Sequence, residues 1–244
     1  MKNIIRNIFS RPIFQNFIES ILRFSLKGMN IGEGQAVETS GEENVIELLD
    51  DISIDNEAVV FDVGAHTGEW LLLFNKIYTG KAKVYSFEPE KNAYLELSKI
   101  KMEGFHPVNS ALGDKTGKMY LSSAQITDKK DDKIQSEEVG ITTVDEYCSK
   151  NDIKNIDLLK MDVEGYELKI LQGAKNMIKN GNIKLIQFEF GAVSAEKYSM
   201  KDFFDILGDQ YQICRILKHG YFPLKSYKHY YEILSLTNFV AIKK

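Results

Sequence analysis

The sequence predicts an α/β fold, a doubly wound and mostly parallel sheet of seven strands preceded by a helical extension. Short apolar, β-branched runs alternate with longer stretches of helical periodicity, which is the pattern of βαβ units. The first such run, Ala58–Val63, ends in a turn carrying Gly64 and Gly68 that opens a helix. Residues 1–40 differ from the rest in being basic, amphipathic and then glycine-bearing. At 244 residues and 43% hydrophobic content the chain buries one sizeable core more readily than two. The expected organisation is therefore an extension over 1–40 and a single Rossmann-like domain over 41–244.

In the extension, Lys2, Arg6, Arg11, Arg23 and Lys27 face only Glu19, and Ile4, Ile5, Ile8, Phe9, Phe14, Phe17, Ile18, Ile21 and Leu22 recur at helical spacing. This predicts a basic amphipathic helix interrupted near Pro12. Its apolar stripe suits packing on the same chain or a twin subunit, and its charge suits the surface of an anionic membrane. It lacks the unbroken apolar run of a signal peptide or a membrane span, so a cytoplasmic chain is expected. A link over Gly28–Gly41 follows.

The elements of the domain then read in order. Glu42–Ile52 is a helix, Ala58–Val63 the first strand and Gly68–Tyr78 its helix. Lys83–Phe87 is the second strand and Glu90–Glu103 the second helix. Pro107–Ala111 is a third strand, with Lys118–Ser122 a paired piece. The charged stretch Ser123–Val139 reads as a solvated loop. Thr143, ahead of Asp145 and Glu146, caps a helix. Ile156–Met161 is a strand, Glu164–Lys179 its helix, Ile183–Phe190 a strand and Met200–Leu207 a helix. Tyr211–Leu217 and Asn238–Ile242 are β-like runs.

Composition narrows the partners. A net charge of −4 leaves little basic surface for a phosphodiester backbone, so nucleic acid is not expected as a ligand. Cys148 and Cys214 stand alone, without the spacing of a disulfide framework or a zinc knuckle, and no ligand spacing points to a metal.

The strongest local signal is Val59-Val60-Phe61-Asp62-Val63-Gly64-Ala65-His66-Thr67-Gly68, a buried strand ending in a carboxylate and a tight turn. Glycine at 64 and 68 lets the chain bend and lets a nucleoside approach the backbone. About twenty residues on, Phe87-Glu88-Pro89 ends the second strand with a carboxylate suited to ribose hydroxyls. A dinucleotide pyrophosphate needs a further glycine where His66 stands. A methionine-linked sulfonium has no phosphate, and its ammonium group suits the Asp62 carboxylate. S-adenosylmethionine is therefore the expected cofactor. A nucleotide-dependent oxidoreductase or epimerase of nucleotide sugars, using NAD(P), is the alternative; a binding module that keeps the fold without catalysis is a third reading. The Tyr-x-x-x-Lys spacing that a short-chain dehydrogenase places on a helix occurs only at Tyr221 to Lys225, where Pro223 interrupts it.

Further pieces occur in a fixed order: Asn109-Ser110-Ala111-Leu112-Gly113-Asp114, Thr142-Thr143-Val144-Asp145-Glu146-Tyr147, Leu159-Lys160-Met161-Asp162-Val163-Glu164-Gly165-Tyr166-Glu167, Leu171-Gln172-Gly173-Ala174 and Phe188-Glu189. Together with the first turn and Phe87-Glu88-Pro89, this set resembles the FkbM-type methyltransferases, over about Val59 to Glu189. The resemblance implies a class I methyltransferase fold and an O-methyltransferase acting on hydroxyls of sugars, glycans or secondary metabolites, a role in carbohydrate biosynthesis included. It also implies that Asp62, Gly64, Ala65, His66, Thr67 and Gly68 hold the methionine end, that Glu88 and Pro89 hold the ribose, that Ser110, Ala111 and Leu112 line the adenine, and that Asp162 closes the pocket.

A sulfonium carries an already activated methyl group, so the protein has mainly to align a nucleophile and exclude water. An alcohol must lose its proton during attack, which calls for a positioned base. Glu164 and Glu189 are the candidates beside Asp162, and His66 is a further one. The aromatic tail, Tyr221, Phe222, Tyr227, His229, Tyr230 and Tyr231, packs as core or rim, or stacks on an acceptor.

Overall fold

The computed structural model describes residues 2–32, 40–53, 56–122, 125–127 and 136–244. The link expected over 28–41 and the loop over 123–139 fall partly outside them. Among the described residues an eight-stranded sheet carries the domain. Its strands are β1 (Ala58–Val63), β2 (Ala82–Phe87), β3 (Phe105–Val108), β8 (Ile156–Met161), β9 (Ile183–Phe190), β10 (Tyr211–Ile216), β11 (Tyr221–Pro223) and β12 (Thr237–Lys243). They run in the order β11-β10-β12-β9-β8-β1-β2-β3. The five from β9 to β3 are parallel, whereas β12, β10 and β11 join antiparallel. Seven of the eight correspond to the seven expected; the eighth is the short edge strand β11.

Helices cover both faces. On one, Val60, Val84, Leu158, Leu185 and Val240 are buried under Val45, Ile46 and Leu49 of the helix Glu43–Ile52 and Trp70, Leu71 and Phe74 of the helix Glu69–Ile77. On the other, Phe61, Leu159, Ile186, Phe188 and Phe239 meet residues of the helices Val144–Lys150, Glu167–Gly173, Lys175–Lys179 and Met200–Leu207. β8, Ile-Asp-Leu-Leu-Lys-Met, is buried along its whole length, as a central parallel strand under two helical layers must be.

The structure corrects several expectations. The third strand is Phe105–Val108, and Ala111–Leu112 is a separate strand, β4. β4 belongs to a second sheet, ordered β4-β7-β5-β6, with β5 at Gly117–Ser122, β6 at Gln125–Thr127 and β7 at Glu137–Thr142. Strands therefore enter the stretch expected to be loop from both ends. β7 buries Val139 and Ile141 and exposes Glu138 and Gly140, a two-residue alternation that its charged residues disguise. The second helix ends early, spanning Lys91–Leu97, with the Glu90 carboxylate accepting from the Asn92 and Ala93 amides. The helix expected over 164–179 is two helices meeting at Ala174. Thr143 caps its helix by accepting from the Glu146 amide at 3.0 Å.

The extension forms two helices, Lys2–Phe9 and Pro12–Gly28, with Pro12 in the first turn of the second. None of the residues of Pro12–Gly28 is buried. No helix among the described residues is long and apolar enough to cross a membrane.

Candidate functional site

The site lies where β1, β2, β8 and β9 end, at the carboxyl edge of the parallel strands, where the chain leaves each strand and opens a crevice. Gly64 (φ 79°) and Gly68 (φ 95°) both adopt the left-handed region. A Cβ on Gly64 would lie 1.9 Å from the Asp162 carbonyl oxygen, so only glycine lets the first turn press against the end of β8. The amides of Gly64 and Ala65 both donate to the Phe87 carbonyl, at 3.0 and 3.1 Å, which ties the turn to the end of β2.

Glu88 fastens the same junction from the other side. Its carboxylate accepts from the His66 and Glu90 amides, each at 2.8 Å. The Asn109 amide group donates to the Glu88 carbonyl at 2.9 Å. Burial pushes the Glu88 carboxyl above the ordinary carboxylate range, with the two backbone amides pulling the other way. Each carboxylate oxygen keeps a lone pair for a further donor.

A cavity of about 340 Å³ opens at Glu88, walled by Phe87, Pro89, Ala111, Leu112, Leu121 and Ile126 and closed by Gly64, His66, Asp162 and Glu164. The second sheet thus supplies an apolar wall opposite a carboxylate, the make-up of a small-molecule pocket. A second cavity, of about 450 Å³, lies on the other side of those same four residues. Glu42, Glu69, Trp70, Lys160, Glu189, Ala192, Val193, Leu234 and Leu236 line it further. It is rich in carboxylates.

Beneath this second cavity a polar row crosses the sheet. Ser86, Asp62, Lys160 and Gln187 are register partners on β2, β1, β8 and β9, and all four are buried. Lys160 Nζ lies 3.3 Å from Asp62 and 3.5 Å from Asp162, and 5.6 Å from the centre of the Trp70 ring. Ser86 Oγ donates to Asp62 at 3.3 Å, and the Gln187 amide group donates to Glu42. Burial opposes the charge on Lys160, but Asp62, Asp162 and Glu42 outweigh it and hold the ammonium above the ordinary lysine range. Burial raises Asp62 and Glu42, each partly offset by Lys160. Glu189 makes no ion pair among the described residues: burial, then the neighbouring Asp162 charge, pushes its carboxyl up to about 9 against a lesser pull from Lys160.

Comparison with known proteins places this geometry. The model of the methyltransferase FkbM domain matches residues 62–222. The chain belongs to the FkbM methyltransferase family. A hexuronic acid methyltransferase, AglP of Haloferax volcanii, is 26% identical over 157 residues, 62% of this chain and 64% of that protein. The match spans under two thirds of that relative's length. Among solved structures, the plantazolicin methyltransferase BamL in complex with a triazolic desmethylPZN analogue and SAH aligns with TM-score 0.51 and 11% identity, over 98% of this chain and 93% of that one. An FkbM methyltransferase from Methylobacillus flagellatus KT aligns with TM-score 0.47 and 16% identity, over 76% of this chain and 43% of its own. The BamL alignment shows a shared class I methyltransferase fold.

Of the residues singled out in the sequence, Gly64, Ala65, His66, Glu88, Pro89, Ala111, Leu112, Asp162, Glu164 and Glu189 line one or both cavities of this FkbM-family chain. Four do not. Asp62 is fully buried, with its carboxylate turned to Lys160 and Ser86, because the register across β1 and β8 sets a lysine beside it. Ser110 donates to the Ala111 and Gly140 carbonyls. Thr67 Oγ1 lies 3.3 Å from His66 Nδ1. Gly68 serves as the left-handed cap before Glu69. Glu164 does not cap the helix after it, which begins at Glu167; it sits at φ 50° on the bend between. The aromatic tail lines neither cavity; Tyr227 and Tyr231 pack on Phe204.

Sequence reasoning missed Lys160, Glu42, Glu69, Trp70, Leu234 and Leu236. A lysine inside an apolar strand was the one visible signal, since an unpaired ammonium is not buried without partners. Leu234 and Leu236 arrive from the far end of the chain and carry no local sign.

Proposed function

We propose that this FkbM-family methyltransferase transfers a methyl group from S-adenosylmethionine to an uncharged hydroxyl of a sugar, glycan or related metabolite. The observation that carries the reading is the pair of cavities meeting at Gly64, His66, Asp162 and Glu164, one apolar with a carboxylate at its edge and the other lined by carboxylates.

In this reading Ala111, Leu112, Leu121 and Ile126 sandwich the adenine, and the free lone pairs of Glu88 accept from the ribose hydroxyls. Gly64, His66 and Asp162 receive the methionine end. Asp62 acts at one remove, fixing Lys160 and through it Asp162. When bound, S-adenosylmethionine supplies a methyl group activated by a positively charged sulfur. Glu164 and Glu189 face the acceptor. A positive charge arriving beside Glu189 favours its ionised form, which then accepts the hydroxyl proton as the oxygen attacks. The surrounding walls exclude water from the reacting oxygen.

The acceptor class draws support from the hexuronic acid methyltransferase relative. The lining refines it: among the described residues, Glu42, Glu69, Asp162, Glu164 and Glu189 surround one lysine, Lys160, that Asp62 already pairs, which disfavours an anionic acceptor. A nicotinamide dinucleotide is disfavoured on the same ground, because Glu69 occupies the first turn of the helix where a pyrophosphate would sit.

Titration calorimetry with S-adenosylhomocysteine and with NAD tests the donor. Binding of the former alone is expected; tight binding of NAD with no response to the former overturns the reading. Transfer of labelled methyl groups to neutral glycosides and to uronates then ranks the acceptors, and preference for uronates overturns the uncharged acceptor.

A further inference from the structure

We propose that the N-terminal helix pair docks this enzyme, side-on, to an anionic lipid surface. The observation is an apolar helix face that the protein leaves uncovered, edged by cations. At about 100° per residue, Ile13, Phe17, Ile21 and Phe24 fall within an arc of about 80°. Their side chains are exposed at 81%, 58%, 46% and 80%. Lys27 and Arg23 follow within about the next 80° on one side of that arc.

The opposite edge of the helix carries the half-buried Phe14, Ile18 and Leu26, and at its C-terminal end Leu22 and Leu26 border a cavity shared with Arg215, Tyr230, Tyr231 and Phe239 of the body. Beyond the break at Pro12 the first helix continues the pattern with Ile5 exposed at 59%, Ile8 and Phe9, and Phe9 meets Phe14 edge-on at 5.6 Å between ring centres.

Charge selects the occupant. The segment carries Lys2, Arg6, Arg11, Arg23 and Lys27 against Glu19 alone, although the chain as a whole has a net charge of −4. The body is thus more acidic than the whole and is repelled by an anionic surface, so the helix pair is the part that such a surface attracts. Two helices bent at a proline present a broad patch of aromatic and branched side chains with cations at its margin, the make-up of a helix that lies in a headgroup layer.

Flotation of the whole chain with vesicles tests this. Partition onto phosphatidylcholine containing phosphatidylglycerol is expected to exceed that onto phosphatidylcholine alone by roughly tenfold or more, and to fall as salt is raised. The triple variant Arg11→Gln, Arg23→Gln, Lys27→Gln is expected to lose roughly fivefold per cation. Ile13→Asp with Phe24→Asp is expected to abolish partition while leaving the thermal midpoint unchanged, since both side chains are already in solvent. Equal partition onto both lipids, no partition at all, or a concentration-dependent dimer that these variants dissolve would each overturn the proposal.

Discussion

Asp62 and Lys160 are register partners across two adjacent parallel strands, and their charged groups meet 3.3 Å apart with both side chains buried. An aspartate that the sequence offers as a ligand-binding group is thus a counter-ion to the lysine under the larger cavity.

Breaking that pair from one side is expected to cost more than removing it whole. Lys160→Met leaves the buried Asp62 and Glu42 without the cation that offsets their burial. A loss of about 3–5 kcal/mol is expected, and Lys160→Met with Asp62→Leu should recover much of it. Urea unfolding of the two variants checks this; equal loss in both would show that the pair is not a coupled unit.

Glu88 holds two backbone amides at the smaller, apolar cavity, where the proposed reading has its remaining lone pairs meet the donor's ribose. Glu88→Gln is expected to weaken S-adenosylhomocysteine binding by about tenfold to a hundredfold, the range for a hydrogen bond to a charged group. Glu88→Ala should do more, because the His66 and Glu90 amides lose their acceptor. Calorimetry on both variants reads the effect, and affinities unchanged by either would remove Glu88 from the donor site.

Glu189 gives the enzyme a pH signature. Its carboxyl releases a proton at about 9 in the folded chain against an ordinary 4.5, so its contribution to stability is complete below about 4.5 and is lost as pH rises toward 9. Glu189→Gln is expected to match the parent in acid and to be the more stable of the two in mild alkali, by thermal unfolding across pH. Turnover of the variant should fall by about a hundredfold or more while S-adenosylhomocysteine still binds, and the rise of the parent's rate with pH should disappear. A variant that keeps the parent's pH profile would exclude Glu189 as the base.

What could be read from the chain follows the physics of each element. β1, β8 and β9 announce themselves because a strand covered on both faces is apolar almost throughout. Gly64 and Gly68 are legible because left-handed turns favour glycine. β7 was hidden because Glu137 and Glu138 mask an alternation of only two buried side chains, Val139 and Ile141. The larger cavity was hidden for another reason: Glu42 at a helix start, Lys160 on β8 and Leu236 just before β12 converge from segments far apart in the chain, and only the tertiary fold brings them together.

Gly64, His66, Asp162 and Glu164 belong to both cavities, so the two compartments share a party wall one residue thick in places. Neither can be remodelled in private. On the proposed assignment, reshaping that wall to admit a bulkier recipient at one side also alters the seat of the cosubstrate at the other, whereas Leu234, Leu236 and Ala192 border the larger cavity alone and are the places to begin.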